Sequence, residues 1–325
     1  MPTVVVVVGA LGVLVAGGYV GSSQAIGNHP EWREVVHTPT DYHLSAEAVA
    51  FPSADGIPLK AWWLPTDAKT EDPAQPAGAI NVVLAHGRDM NRSGMLSRAA
   101  FLVRHGYNVL DVDLRDHGES GGNYITPGSR EALDILGGVA YLRTHGLSGP
   151  IVTFGYSYGA VAALHAAAQC SDVAAVIADS AFITPDDVLK NVAEHPGVPL
   201  KFRIGLAFAR LPLFDRSANL IFRLRTGVKL DRNTASAISA VQRIRQQPIL
   251  FISGEDDWLA PTRNTRRMVD AAPTPRKDLL VIPSAGHNNT YGSAGQLYES
   301  KVLDFLAKNV ARDVSRPVPC QPDAH

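Results

Sequence analysis

The sequence predicts an α/β domain: a mostly parallel central sheet with helices on both faces, a helical cap inserted into it, and a hydrophobic helix at the N-terminus. Three observations carry that prediction. From about residue 80 onward, apolar β-rich runs alternate with helix-like ones, the pattern of strand and crossover helix. The runs "INVVLA" and "IVTF" are apolar but for Asn81 and Thr153, as expected of strands buried on both faces. Between "VIADSAF" and "QPILFISG" lie about 65 residues, roughly 182 to 246, more than one crossover helix needs.

The elements follow in order. Met1 to Pro30 contains no charged side chain, and Val4 to Val20 is a run of 17 apolar, Gly or Tyr residues, at the lower limit for spanning a bilayer. A cleaved signal peptide would normally open with Lys or Arg, so residues 1–27 are read as a single membrane anchor, with a signal sequence and a secreted product as the alternative. The positive-inside count is nearly empty, and the extracytoplasmic side is favoured for the domain. Residues 28–45 read as a connector, and 46–312 as the domain. Its first piece, "EAVAFPSADGIPLKAWWLP", reads as an antiparallel hairpin at the sheet edge that turns at "ADG". The proline-rich residues 313–325 read as a disordered tail.

Chemistry enters at "IVTFGYSYGAVAALHAAA", residues 151–168. Here a G-x-S-x-G pentapeptide centred on Ser157 lies between a strand-like run and a stretch of high helix propensity. Gly155 and Gly159 allow the sharp strand-to-helix turn that exposes a serine oxygen near the first N–H groups of the helix. A second match, "GESGG" around Ser120, is followed by the loop "GGNYITPGS", so Ser120 reads as a structural loop serine.

A nucleophilic serine needs a base, and the base needs an orienting acid. Behind such an elbow they follow in the chain order acid, then histidine. Of the 11 histidines only His195, His287 and His325 lie beyond the stretch 151–168 that carries Ser157. His325 ends the tail, and His195 sits in "EHPGVP" with no strand before it. His287, in "SAGHNN" just past the run "DLLVIP", lies where sites in parallel sheets gather. For the acid, "PILFISGEDDWLAP" offers Glu255, Asp256 and Asp257 at a strand's end, while Asp179 at the end of "VAAVIAD" reads as structural.

The pieces "VVLAHGRDMNRSG", "DVDLRDHGES", "GYSYG", "GEDDWLAP" and "PSAGH" occur in an order that resembles the α/β-hydrolase superfamily. More narrowly, they resemble the bacterial serine hydrolases related to the ABHD-type esterases and acyl hydrolases. The resemblance spans roughly residues 45 to 310, with one departure at Asp116, where the family often has glycine. It implies an α/β-hydrolase fold and an acid three residues after the strand-terminal glycine, which favours Asp257 over Asp256. It also implies an oxyanion hole formed by the backbone N–H groups of Arg88 and Tyr158. His86, beside the first of these, reads as turn-stabilising. The activity implied is hydrolysis of carboxylic esters through an acyl-enzyme. Peptidase, thioesterase and lysophospholipase chemistry on the same machinery are the alternatives, and a non-catalytic binding protein is the alternative of another class.

Composition agrees with this reading. With 325 residues, 46% hydrophobic and 19% charged, the chain can bury a large core, and its net charge of -1 carries no nucleic-acid signal. No cysteine cluster or histidine pair at ligand spacing calls for a metal, and no cofactor is expected. The expected partners are a small ester or acyl substrate, lipid-like ones included, and a membrane through the N-terminal segment. Cys170 is expected to be buried at the end of a helix and Cys320 to lie in the tail, with no bridge between them. Within the cap, residues 200 to 232 carry eight Lys or Arg against Asp215 and Asp231, interleaved with Phe202, Ile204, Leu206, Phe208, Leu211, Leu213 and Phe214. That pattern reads either as an amphipathic cap with a solvated basic face or as a lid that leans on anionic lipid.

Overall fold

The computed structural model describes residues 30–66, 80–229, 236–310 and 320. The expected membrane anchor and most of the expected tail lie outside them. Among the described residues no helix is long and apolar enough to cross a membrane.

The chain enters through a one-turn helix, α1 (Pro30–Arg33). The edge hairpin follows as β1 (Glu47–Pro52) and β2 (Pro58–Leu64), antiparallel in the register Pro52↔Pro58 to Glu47↔Trp63. Gly56 in its turn has φ 89°, a left-handed conformation that costs glycine little. The alternating part then runs β3 (Asn81–Ala85), α2 (Leu96–Arg104), β4 (Asn108–Val112), α3 (Glu131–Thr144), β5 (Ile151–Tyr156), α4 (Tyr158–Gln169) and β6 (Val173–Asp179). Among the described residues of the insertion lie four helices: α5 (Pro185–Glu194), α6 (Leu200–Ala209), α7 (Pro212–Thr226) and α8 (Ala237–Val241). The chain closes with β7 (Ile249–Gly254), α9 (Thr262–Ala271), β8 (Lys277–Ile282), α10 (Thr290–Ala294) and α11 (Gln296–Asn309).

The eight strands form one sheet in the order β1-β2-β4-β3-β5-β6-β7-β8, antiparallel at β1/β2 and β2/β4 and parallel throughout the rest. Every residue of β3, β4, β5 and β7 is buried, which is why those segments read as largely apolar runs without a polar face. Alternate side chains feed two cores. Val83 and Ala85 meet Ile135 and Val139 of α3 and Val161 and Leu164 of α4 on one face. Val82 and Leu84 meet Phe101 of α2 and Tyr298 and Phe305 of α11 on the other.

Two expectations need correction. From residue 30 the expected connector is packed onto the domain: Trp32 is buried and stacks on His117 at 4.9 Å, and Arg33 pairs with Asp116 at 2.9 Å. Cys170 and Cys320 are joined in a disulfide, with Cα atoms 4.7 Å apart. Sequence distance misled here. Cys320 lies eleven positions after Asn309, and an extended chain of that length reaches roughly 35 Å, ample to bring Cys320 to the end of α4.

Candidate active site

Four neighbouring parallel strands end side by side, and each passes one polar side chain to the same end of the sheet. Ser157 follows β5 directly, Asp179 ends β6, Asp257 lies in the loop after β7, and His287 lies in the loop after β8.

The turn at Ser157 is as tight as its glycines imply. Ser157 has φ 51° and ψ -110°, a strained conformation for a residue with a side chain. A Cβ on Gly155 would stand 2.0 Å from the Gly159 carbonyl oxygen, and one on Gly159 would stand 2.3 Å from that of Ala85. No larger residue fits at either position without moving backbone. The Ser157 N–H donates to the Asp179 carbonyl at 2.7 Å, tying the turn to the end of β6.

Around this serine the side chains form a hydrogen-bonded line. Ser157 Oγ lies 2.8 Å from His287 Nε2, and His287 Nδ1 lies 2.8 Å from Asp257 Oδ2. The buried carboxylate accepts only, so Nδ1 carries the proton and Nε2 is left bare toward the serine. Asp257 is itself held by the Leu259 and Ala260 N–H groups, which donate to Oδ1 at 2.9 and 2.7 Å. Its neighbours in "GEDD" point elsewhere: Glu255 and Asp256 are exposed. Gly254 lets the two loops close together, since a Cβ there would meet the Ala285 carbonyl oxygen at 2.3 Å.

The two residues expected to supply oxyanion donors flank this line in sequence and element. Tyr158 is the first residue of α4, so its N–H belongs to the first turn, where no intrahelical acceptor is available. Arg88 follows Gly87 in the loop after β3. His86 anchors that loop from below. Fully buried, it accepts the Leu114 N–H at Nε2 at 3.0 Å, and Nδ1 lies 2.7 Å from the Gly87 carbonyl to which it donates. Burial lowers its pKa from 6.5 to about 4, with a contribution from the nearby Arg92 charge.

The other candidates are accounted for structurally. Ser120 Oγ donates to the Asp113 carbonyl at 2.7 Å and accepts the Lys60 N–H at 2.8 Å, joining its loop to β2. Asp179 receives Arg98, Tyr298 and Thr290 at 2.8, 2.8 and 3.0 Å. His195 stacks on Trp258 at 4.2 Å beside a cleft of about 430 Å³ between α5 and the Asp257 loop. Asp116, where a glycine was expected, has φ 61°, the left-handed backbone that glycine favours.

Two contributors escaped the sequence reading. Tyr156 donates its phenol to the His287 carbonyl at 2.8 Å and to Asn288 Oδ1 at 3.0 Å. Arg98 of α2 places its guanidinium 4.9 Å from the Tyr156 ring centre while it pairs with Asp179. Neither has a local signature; Arg98 looks like any basic residue in an amphipathic helix. Among the described residues no group of His, Cys, Asp and Glu could hold a metal ion.

Comparison with known proteins agrees with this architecture. The profile of the Alpha/beta hydrolase family matches residues 82–299, and the chain belongs to that family. It is 30% identical to the uncharacterized protein YqkD of Bacillus subtilis over 81% of this chain and 80% of that one. It is 23% identical to the protein bem46 of Schizosaccharomyces pombe over 88% and 83% of the two chains. Among solved structures it is similar to the Pyrococcus furiosus esterase Pf2001, with a TM-score of 0.67 and 25% identity over 88% of this chain and 98% of that one. Family and neighbour support hydrolase activity.

Proposed function

We propose that this protein is a serine hydrolase that cleaves carboxylic esters through an acyl-enzyme. The observation that carries the reading is the unbroken line Ser157 Oγ, His287 Nε2, His287 Nδ1, Asp257 Oδ2, with 2.8 Å at both hydrogen bonds, at a strained strand-to-helix turn. The esterase among its structural neighbours favours an ester as the acyl donor.

In this mechanism Ser157 Oγ attacks the ester carbonyl carbon while His287 Nε2 takes its proton. The imidazolium that forms is stabilised by Asp257, which keeps the ring in the reactive tautomer. The N–H groups of Arg88 and Tyr158 meet the oxyanion, each worth about 2.7 to 4 kcal/mol in the transition state. Collapse expels the alcohol, which receives the proton from His287. Water then attacks the acyl-enzyme with His287 again as base, releasing the acid and restoring Ser157. The N-terminal apolar run anchors the enzyme to a membrane in this reading, with the domain on the extracytoplasmic side.

Labelling by a fluorophosphonate probe tests it. Wild type and Ser120→Ala should label and Ser157→Ala should not, and an ester, thioester and peptide panel should show ester turnover. A folded wild type that does not label, or a Ser157→Ala that still does, would overturn the assignment.

A further inference from the structure

The cap leaves an unusual surface. Ten large hydrophobic side chains are exposed among the described residues, and seven of them lie between residues 200 and 224: Leu200, Phe202, Ile204, Leu211, Leu213, Leu220 and Leu224. Isolated exposed apolar residues need no explanation, but this concentration does.

Helical spacing shows that the exposure on α7 belongs to one face. At 3.6 residues per turn, Leu220 and Leu224 lie within about 20° of Leu213 around the axis, and Phe222 lies about 180° away. Phe222 is 1% exposed and packs edge-on against Tyr124 at 6.0 Å, so the helix is seated through Phe222. Its outer stripe, Leu213, Leu220 and Leu224, is 58, 57 and 76% exposed. On α6 no described side chain is fully buried; Leu200 and Ile204 lie about 40° apart around the axis, and Phe202 lies on the opposite side.

Charge is segregated to the same place. Residues 200–229 carry seven Lys or Arg against Asp215 alone, a net of +6 in a chain of net -1, so the remainder carries -7. Arg203 donates to the Ala193 carbonyl, while Lys201, Arg210, Arg216 and Arg223 are exposed. Arg216 and Arg223 lie together along one side of the leucine stripe, about 60° and 80° around the axis from Leu213. Apolar side chains with long basic ones at their margin are what an interfacial helix presents to anionic lipid: the leucines and Ile204 enter the headgroup boundary while the basic side chains reach the phosphates.

We propose that the outer face of α6 and α7 docks on an anionic lipid bilayer. Charge complementarity selects this occupant, and the 17-residue apolar run Val4 to Val20 in the same chain matches a bilayer's thickness requirement. The docking does not depend on the hydrolase reading. It would hold the cap, and with it the rim where Asp257 and His287 stand, at the lipid surface.

The test uses the full chain reconstituted in phosphatidylcholine vesicles with and without phosphatidylglycerol. An environment-sensitive fluorophore is attached to Leu224→Cys under non-reducing conditions, and to Asp304→Cys of α11 as a control. The expected result is a blue-shifted, brighter emission from position 224 only with phosphatidylglycerol, with no change at 304. The shift should disappear in Arg210→Glu/Arg216→Glu/Arg223→Glu, whose thermal melt should match wild type because all three side chains are exposed. Equal emission in the two lipids overturns the proposal: a water-like signal in both means a solvated face. An apolar signal in both, or one that rises with protein concentration, means that protein covers it. Retention of the shift in the triple variant also overturns it.

Discussion

The phenol of Tyr156 donates to the main-chain carbonyl of His287 at 2.8 Å, so the residue before the strained serine grips the loop that carries the imidazole. Burial pushes the phenol's pKa well up, so it remains a donor throughout the working range. Tyr156→Phe keeps the ring over Arg98 and removes only the phenol's bonds to the His287 carbonyl and to Asn288 Oδ1. We expect kcat to fall about tenfold with KM nearly unchanged, the signature of lost positioning. Steady-state ester kinetics checks it. A rise in KM with kcat intact would make Tyr156 a substrate contact instead.

The loop after β7 offers a one-residue choice. Asp257 is buried and bonded to His287, whereas Asp256 is exposed. Asp257→Asn presents an amide donor to Nδ1 and favours the wrong tautomer, so turnover should fall by about 10⁴ with the fold retained. Asp256→Asn should stay within a few-fold of wild type. Side-by-side kcat/KM values and thermal melts decide it, and a reversed ranking would move the acid to Asp256.

Acid should loosen the loop under Arg88. In the folded protein His86 titrates at about 4 against 6.5 when unfolded, because burial disfavours the imidazolium and Nε2 must stay bare to accept the Leu114 N–H. Between those values the unfolded chain holds a proton that the folded chain lacks, so stability falls as pH drops. The contribution is complete above pH 6.5 and gone below about pH 4, a loss of roughly 3 kcal/mol. Urea unfolding at several pH values in that window should show a shallower slope for His86→Gln than for wild type. Identical slopes would remove His86 as the source.

The elbow, the edge hairpin and the loop positions of Asp257 and His287 were legible because each is written locally. A period switches from strand to helix, a glycine stands where a Cβ cannot, or an acid follows a strand by a fixed count. Tyr156 and Arg98 were not legible, since their roles come from contacts across 131 and 81 residues of chain. Choosing Asp257 over Asp256 needed the family resemblance; the burial that separates them exists only in the fold. Trp32 was missed for a similar reason: a short stretch between an apolar run and a domain looks like a connector until its aromatic ring is found against His117.

The Cys170–Cys320 bridge closes a separation of 150 residues, from the end of the helix that begins after Ser157 to the tail. Cross-links over long separations restrict the unfolded chain most, and about 2–4 kcal/mol of stability is expected from this one. Cys320 also packs, partly buried, against the core on the α4 side of the sheet, so it adds apolar cover as well as a tether. Reduction, or Cys320→Ser, should therefore lower the melting temperature by roughly 5–10 °C. Below that temperature fluorophosphonate labelling should persist, because the bridge lies at the opposite end of α4 from Ser157. Thiol titration of the unfolded wild type without reductant is the accompanying check: no free thiol is expected, and two would show that the bridge does not form.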